Sequence, residues 1–226
     1  MLSLVFVIIA SYLIGSIPSG IIVSKLFRGI DIRTQGSGNM GSTNAFRVLG
    51  WKLGLIVQVL DLAKGIGAVV LASYIFNGLP FHNATPFEDL TIFRIIAGVS
   101  AVLGHIFTVF AGFKGGKGIS TAAGMLIGIA PIELAVAFGA FVLVVTLSGY
   151  ISLGSIIAAI IFPFTMFLRE NAFGVDITGY QTLIVFSIML SLLLIYTHRT
   201  NIKRLMEKRE NRFEKLLLFK RLLAKI

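Results

Sequence analysis

Three polar stretches in this apolar chain have residue types suited to holding an anion. The first is 33–47, RTQGSGNMGSTNAFR. Gly36, Gly38 and Gly41 alternate with Ser37, Ser42, Thr43, Asn39 and Asn44, and Arg33 and Arg47 close the two ends. Glycine lets backbone N–H groups approach an anion closely, a following helix N-terminus adds a favourable dipole, and arginine offers a bidentate fork to phosphate. The second stretch is 112–118, GFKGGKG, with His105 just before it. It lacks the first glycine of a P-loop, which is Ala111 here, and Lys117 is followed by Gly118 rather than Ser or Thr. It therefore gives no case for nucleotide hydrolysis, although Gly115, Gly116 and Gly118 around Lys117 suit an anion nest. A tight basic turn facing the cytoplasm would read the same way. The third stretch is 197–204, THRTNIKR, in which His198 and Asn201 share one helical face. An ordinary interfacial anchor would also be basic there.

The elements that must position these residues are membrane spans. Of the 226 residues, 56% are hydrophobic and 13% charged, and the mean hydropathy is +0.93. Soluble domains carry about 25% charged residues. Cysteine is absent, which excludes disulfides and thiol nucleophiles, and His82, His105 and His198 show no metal-binding spacing. A span needs about 20 mostly apolar residues. Candidates are 2–24, 51–76, 91–111, 152–168 and 181–197, together with 119–148, which Pro131 divides into two short helices or kinks as one. A polar turn is expected over 77–90. No basic region precedes the first span, so it reads as a retained helix rather than a signal peptide.

Counting 119–148 as two crossings gives an all-α bundle of seven transmembrane helices, N-terminus outside and C-terminus cytoplasmic. Segments 25–52, 112–118, 149–151 and 198–226 then lie inside and hold 17 of the 20 Lys plus Arg. The exceptions are Lys64, Arg94 and Arg169. This asymmetry follows the positive-inside rule, and it assigns the net charge of +10 to anionic lipid heads rather than nucleic acid. The expected organisation is one membrane domain over 1–200 and a basic tail over 201–226 that lies as a helix on the lipid surface. Asp61 and Lys64 fall inside the second span at helical spacing. Intramembrane charges are costly, so they are expected to pair and to mark a functional site, or Lys64 snorkels. Ser152 and Ser155, in YISLGS, open a span on the inside face.

Taken together, RTQGSGNMGSTNAFR resembles the first signature of the bacterial acyl-phosphate:glycerol-3-phosphate acyltransferases, the PlsY family. GHIFTVFAGFKGGKGIST is similar to the second, and YISLGS with HRTNIKR to the third. Ser42 and Ser120 stand where the family commonly has alanine. Lys208 occupies a usual glycine position before Glu210, and the tail runs past the usual end.

The resemblance implies a seven-helix enzyme of the bacterial inner membrane with a cytoplasmic active site and no cofactor or metal. It implies acyl transfer from acyl phosphate to the 1-hydroxyl of glycerol-3-phosphate, giving lysophosphatidic acid and inorganic phosphate, and a handover from the enzyme that makes acyl phosphate. By motif matching it places catalytic roles on Ser37, Arg47, Lys117, His198 and Asn201. Substrate binding falls to Gly36, Gly38, Asn39, Gly41, Thr43, Asn44, Gly115, Gly116, Gly118 and Ser152. His105, Ser155, Glu210, Asp61 and Lys64 are further candidates. The expected division of labour has the first loop cradle the acyl-phosphate head, while Lys117 and Arg47 bridge phosphates. Ser152, His198 and Asn201 orient glycerol-3-phosphate, with His198 orienting rather than acting as base. A transporter for a phosphorylated solute would show internal repeats or charge on both membrane faces, and a scaffold would leave Arg47, Lys117 and Asn201 unexplained.

Overall fold

The computed structural model describes residues 2–76, 89–177 and 179–213, and among these the only regular secondary structure is helical. Most of the turn expected over 77–90, with His82, and the tail beyond 213 lie outside the described residues. Six helical stretches are long and apolar enough to cross a membrane: Leu2–Arg28, Trp51–Phe76, Leu90–Ala111, Pro131–Ser148, Ile151–Asn171 and Tyr180–Thr197. They track the apolar runs of the sequence closely. Their outer faces carry large apolar side chains such as Leu26, Val70, Phe138 and Leu192, all more than half exposed, as lipid-facing surfaces require.

The chain divides into two compact units, Met1–Ala130 and Pro131–Ile226. In the first, α1 (Leu2–Ser16) and α2 (Ser19–Arg28) form one span broken at Ile17–Pro18. The α1 end is tied to the end of α5 (Asp89–Ile106): Thr108 Oγ1 donates to the Ser16 carbonyl, and Tyr12 Oη donates to the Phe107 carbonyl at 2.6 Å. A short α3 (Ser42–Val48) precedes the long α4 (Trp51–Phe76). The helices approach through small residues, as membrane helices do where packing replaces hydrophobic drive. A Cβ on Gly15 would stand 2.0 Å from the Ala101 carbonyl oxygen of α5, and one on Gly104 2.1 Å from that of Tyr12 on α1.

The run 119–148 resolves into two helices, α6 (Ile119–Ile127) and α7 (Pro131–Ser148). Proline at a first helical position is well placed because its missing N–H has no partner to lose. At nine residues, α6 extends only about 13 Å of the ~30 Å hydrocarbon core, so it is a short element rather than a full span. It packs on α4, where a Cβ on Gly65 would meet the Thr121 carbonyl oxygen at 2.0 Å and one on Gly124 that of Leu62 at 2.1 Å.

In the second unit, α7 packs on α8 (Ile151–Asn171), α8 on α9 (Tyr180–Thr197), and α9 on α10 (Arg199–Met206). Pro163 lies inside α8. It cannot donate to the carbonyl of residue 159, and Ser191 Oγ of α9 donates to that Ala159 carbonyl instead. At the other end of the pair, Arg169 bonds the buried Glu133, joining the end of α8 to the start of α7. α10 stops at Met206, and residues 207–213 fold back: Phe213 N–H donates to the Gly149 carbonyl at 2.8 Å, and Arg212 Nε donates to the Ser148 carbonyl at 2.8 Å.

Candidate active site

The first polar loop is anchored at its ends by apolar residues. Ile32 and Met40 are buried with Ala45, Leu49 and Val57 in a core shared by α2, α3 and α4. Between these anchors the path is held by Asn44, whose side chain is 1% exposed. Its Nδ2 donates toward the carbonyls of Ile32 (3.2 Å), Gln35 (3.0 Å) and Asn39 (2.8 Å), and its Oδ1 accepts from the Ser37 N–H at 2.9 Å. The Asn44 side chain thus holds the loop backbone on both sides of Ser37. Gly36 and Gly38 have φ of 60° and 72°, a region costly for residues with a Cβ. Asn39 Oδ1 accepts from the Gly41 N–H at 2.9 Å, just where α3 begins. Thr43 and Arg47 lie on α3, both partly buried. At the loop entrance the Arg33 guanidinium hydrogen-bonds Asp31 and holds its carboxyl down at about 2.

The second polar stretch is brought against the first within the same unit. Asn39 Nδ2 reaches the Gly115 carbonyl at 3.5 Å. Ser42 Oγ and Ser120 Oγ lie 3.4 Å apart, and Ser120 Oγ donates to Gln58 Oε1 at 3.0 Å. These are the two serines that replace the commoner alanine, and here they link α3, α6 and α4. Lys117 is partly buried between Gly116 and Gly118, and Gly118, at φ 83°, starts α6. The glycines of this stretch have a packing reason. A Cβ on Gly115 would stand 2.0 Å from the His105 carbonyl oxygen, and one on Gly116 2.0 Å from His105 Nε2.

The third signature gathers within the second unit around Glu210. Glu210 Oε1 accepts from Ser152 Oγ at 3.0 Å and from Asn201 Nδ2 at 2.7 Å, and Oε2 accepts from Arg204 Nε at 2.7 Å. Burial pushes this carboxyl up, but the three hydrogen bonds outweigh burial and leave it below its ordinary value of 4.5. His198, 3% exposed, sits at the junction of α9 and α10. Its Nδ1 lies 2.8 Å from the Leu194 carbonyl, which can only accept, so Nδ1 carries the proton. Ser155 donates to the Ile151 carbonyl of its own helix at 3.0 Å and does not join the cluster. Sequence reasoning missed Arg204, one basic residue among many in the tail. Its signal, a position three residues beyond Asn201 on the same helical face, becomes visible only with Glu210 in place.

The chain has counterparts among known proteins. The profile of the glycerol-3-phosphate acyltransferase family matches residues 5–208. Glycerol-3-phosphate acyltransferase of Chlorobaculum tepidum is 50% identical, over 94% of this chain and 97% of the relative. That of Chlorobaculum parvum is 49% identical with the same coverage, and that of Chlorobium phaeobacteroides 47%, over 95% and 98%. The crystal structure of PlsY, an integral membrane glycerol 3-phosphate acyltransferase, superposes in its glycerol 3-phosphate form with a TM-score of 0.79 at 36% identity, covering 95% of this chain and 97% of that one. Its lysophosphatidic acid form gives 0.77. Matched almost end to end in both sequence and fold, this chain belongs to the glycerol-3-phosphate acyltransferase family.

Proposed function

We propose that this protein transfers a fatty acyl group from acyl phosphate to the 1-hydroxyl of glycerol-3-phosphate. The products are lysophosphatidic acid and inorganic phosphate, formed at the cytoplasmic face of a bacterial inner membrane that the chain crosses seven times with its N-terminus outside. The observation that carries the reading is the interlock of the first two signatures in one unit, through Asn39 to Gly115 and Ser42 to Ser120. The solved relative's glycerol 3-phosphate and lysophosphatidic acid forms support the acceptor and product.

Acyl phosphate is a mixed anhydride, so its carbonyl carbon is already activated and phosphate is the leaving group. The acceptor hydroxyl attacks that carbon, the carbon–oxygen bond to phosphate breaks, and a phosphate oxygen takes the hydroxyl proton. No covalent enzyme intermediate is required. The enzyme must instead hold two phosphorylated molecules against their mutual repulsion, which is positioning plus electrostatic stabilisation of the charge that develops. Backbone N–H groups of the Ser37 loop, with Arg47 and Lys117, take the acyl-phosphate head and bridge phosphates. Ser152, His198 and Asn201 orient glycerol-3-phosphate, and the acyl chain lies toward lipid. Supply of the donor falls to an enzyme that releases acyl phosphate.

Purified protein given palmitoyl phosphate and glycerol-3-phosphate is expected to release lysophosphatidic acid and phosphate, and palmitoyl-CoA is not expected to replace the donor. Folded protein without turnover would refute the reading. Arg47→Ala and Lys117→Ala should each lower kcat/KM by about 10²–10³, the loss seen when one charge-stabilising donor is removed. Activity surviving both changes would overturn the site assignment.

A further inference from the structure

We propose that Asp61, Lys64 and His105 are positioning residues that fix the turn carrying Lys117; the inference rests on the acyltransferase reading above. Asp61 and Lys64 lie one turn apart on α4, 2% and 5% exposed, with Lys64 Nζ 2.6 Å from Asp61 Oδ1. A buried ion pair is weak evidence for stability, because well-packed apolar residues of similar volume do as well or better. Intramembrane charges are retained where they serve a site. The third member comes from α5. His105 Nδ1 stands 3.6 Å from the same Asp61 oxygen. That is beyond hydrogen-bond length, and Nδ1 has no hydrogen bond among the described residues. The carboxylate therefore faces two cationic or polarisable partners, one from each of two helices.

His105 is also the platform on which the second signature rests. Its backbone carbonyl accepts from the Gly116 N–H at 3.0 Å, and the next carbonyl, Ile106, accepts from the Gly115 N–H at 3.0 Å. These are end-of-helix carbonyls that have no partner within the helix, so the turn caps α5 while α5 fixes the turn. The imidazole lies so close under Gly116 that a Cβ there would meet Nε2 at 2.0 Å. On the other side, Gly65, next to Lys64, lets α4 touch the Thr121 carbonyl of α6, the helix that begins straight after Lys117 and Gly118. The turn is thus strung between two elements, α5 and α6. Both meet the same stretch of α4: α5 through His105 facing Asp61, and α6 through the close approach at Gly65, next to Lys64. A shift of the Asp61–Lys64–His105 group moves the Lys117 backbone without touching its side chain. Small misplacements of a positioned group are enough to lower a rate.

The test uses two sets of variants and two readouts. Asp61→Asn/Lys64→Met removes both charges together, which avoids leaving one charge stranded. Gly116→Ala, made alone and with His105→Ala, probes the platform. Assayed with palmitoyl phosphate and glycerol-3-phosphate, the charge-free double variant should keep its melting temperature and lose about tenfold or more in kcat, with both KM values within about threefold. Gly116→Ala should lose activity when alone, and adding it to His105→Ala should cost little further. A second readout does not depend on turnover. The chain has no cysteine, so a nitroxide on Lys114→Cys, in the exposed part of the turn, reports turn mobility. The charge-free variant should give a more mobile spectrum. An unchanged spectrum together with unchanged kcat would overturn the proposal. If the parent protein itself makes no lysophosphatidic acid, the acyltransferase reading fails, and the spectrum still judges the positioning role.

Discussion

Glu210 accepts from Ser152, Asn201 and Arg204 at once, and such a carboxylate is worth more to its neighbours than to itself. Removing it strands three donors, two of them on residues less than a tenth exposed. Each lost hydrogen bond to a charged group costs about 1.5–3 kcal/mol, so Glu210→Ala should lower stability by at least that much, and thermal unfolding in detergent checks it. Glu210→Gln keeps one acceptor oxygen and should fall in between. The pH dependence follows from the sign of the shift. The folded carboxyl titrates below its ordinary 4.5, so its stabilisation is full above that value and fades as pH falls through the lower folded value. The parent should therefore lose more stability than Glu210→Gln on acidification below 4.5; parallel curves would contradict the assignment. At this scale the sequence was partly legible. Ser152, His198 and Asn201 could be singled out because polar residues at a membrane exit stand out from their surroundings. Asn44 was expected among the substrate-binding residues, and its hold on the loop backbone was not legible. Its four backbone partners span residues 32 to 39, and only the loop's path brings them together.

Ser191 and Pro163 show the same dependence between helices. Each is unremarkable in sequence, a serine and a proline in apolar runs 28 positions apart. In the fold the serine satisfies the carbonyl that the proline leaves open, a standard way for membrane helices to tolerate proline. Hydrogen bonds between membrane helices are worth about 0.6 kcal/mol on average and up to about 1.7, and a freed carbonyl favours the upper part of that range. Ser191→Ala should cost about that much in the Pro163 background. It should cost less in Pro163→Ala, where residue 163 regains an N–H for the Ala159 carbonyl. Equal costs in both backgrounds, measured by thermal unfolding, would break the link. Element limits were legible where length and apolarity decide, as in Trp51–Phe76. They were ambiguous over 119–148, where a proline both ends one pattern and starts another. The docking of residues 207–213 was not legible, because alternation of basic and apolar residues describes a lipid-surface helix and a segment docked on Ser148 and Gly149 equally well.

For the molecule as a whole, the proposed seven crossings make a prediction about which segments face which side of the bilayer. Among the described residues six helices meet the length and apolarity needed, and α6, at nine residues, does not span by itself. Charge argues for an odd count. With Lys25, Arg28, Arg33, Arg47 and Lys52 inside, an even number of crossings after them is needed to put the ten basic residues of 198–226 inside as well. The full-length spans after residue 52 number five. Either 112–130 supplies a further crossing around α6, or the basic tail faces outward against a strong bias. Because the chain has no cysteine, single cysteines report their side without ambiguity. Phe173→Cys, in the exposed loop between α8 and α9, should react with a membrane-impermeant maleimide in intact cells. Lys114→Cys and Arg209→Cys, both exposed, should react only after permeabilisation. Protection of Phe173→Cys with labelling of Arg209→Cys would mean that α6 returns to the side it came from. The third signature would then face away from the first two, and the proposed reaction would lose the arrangement it requires.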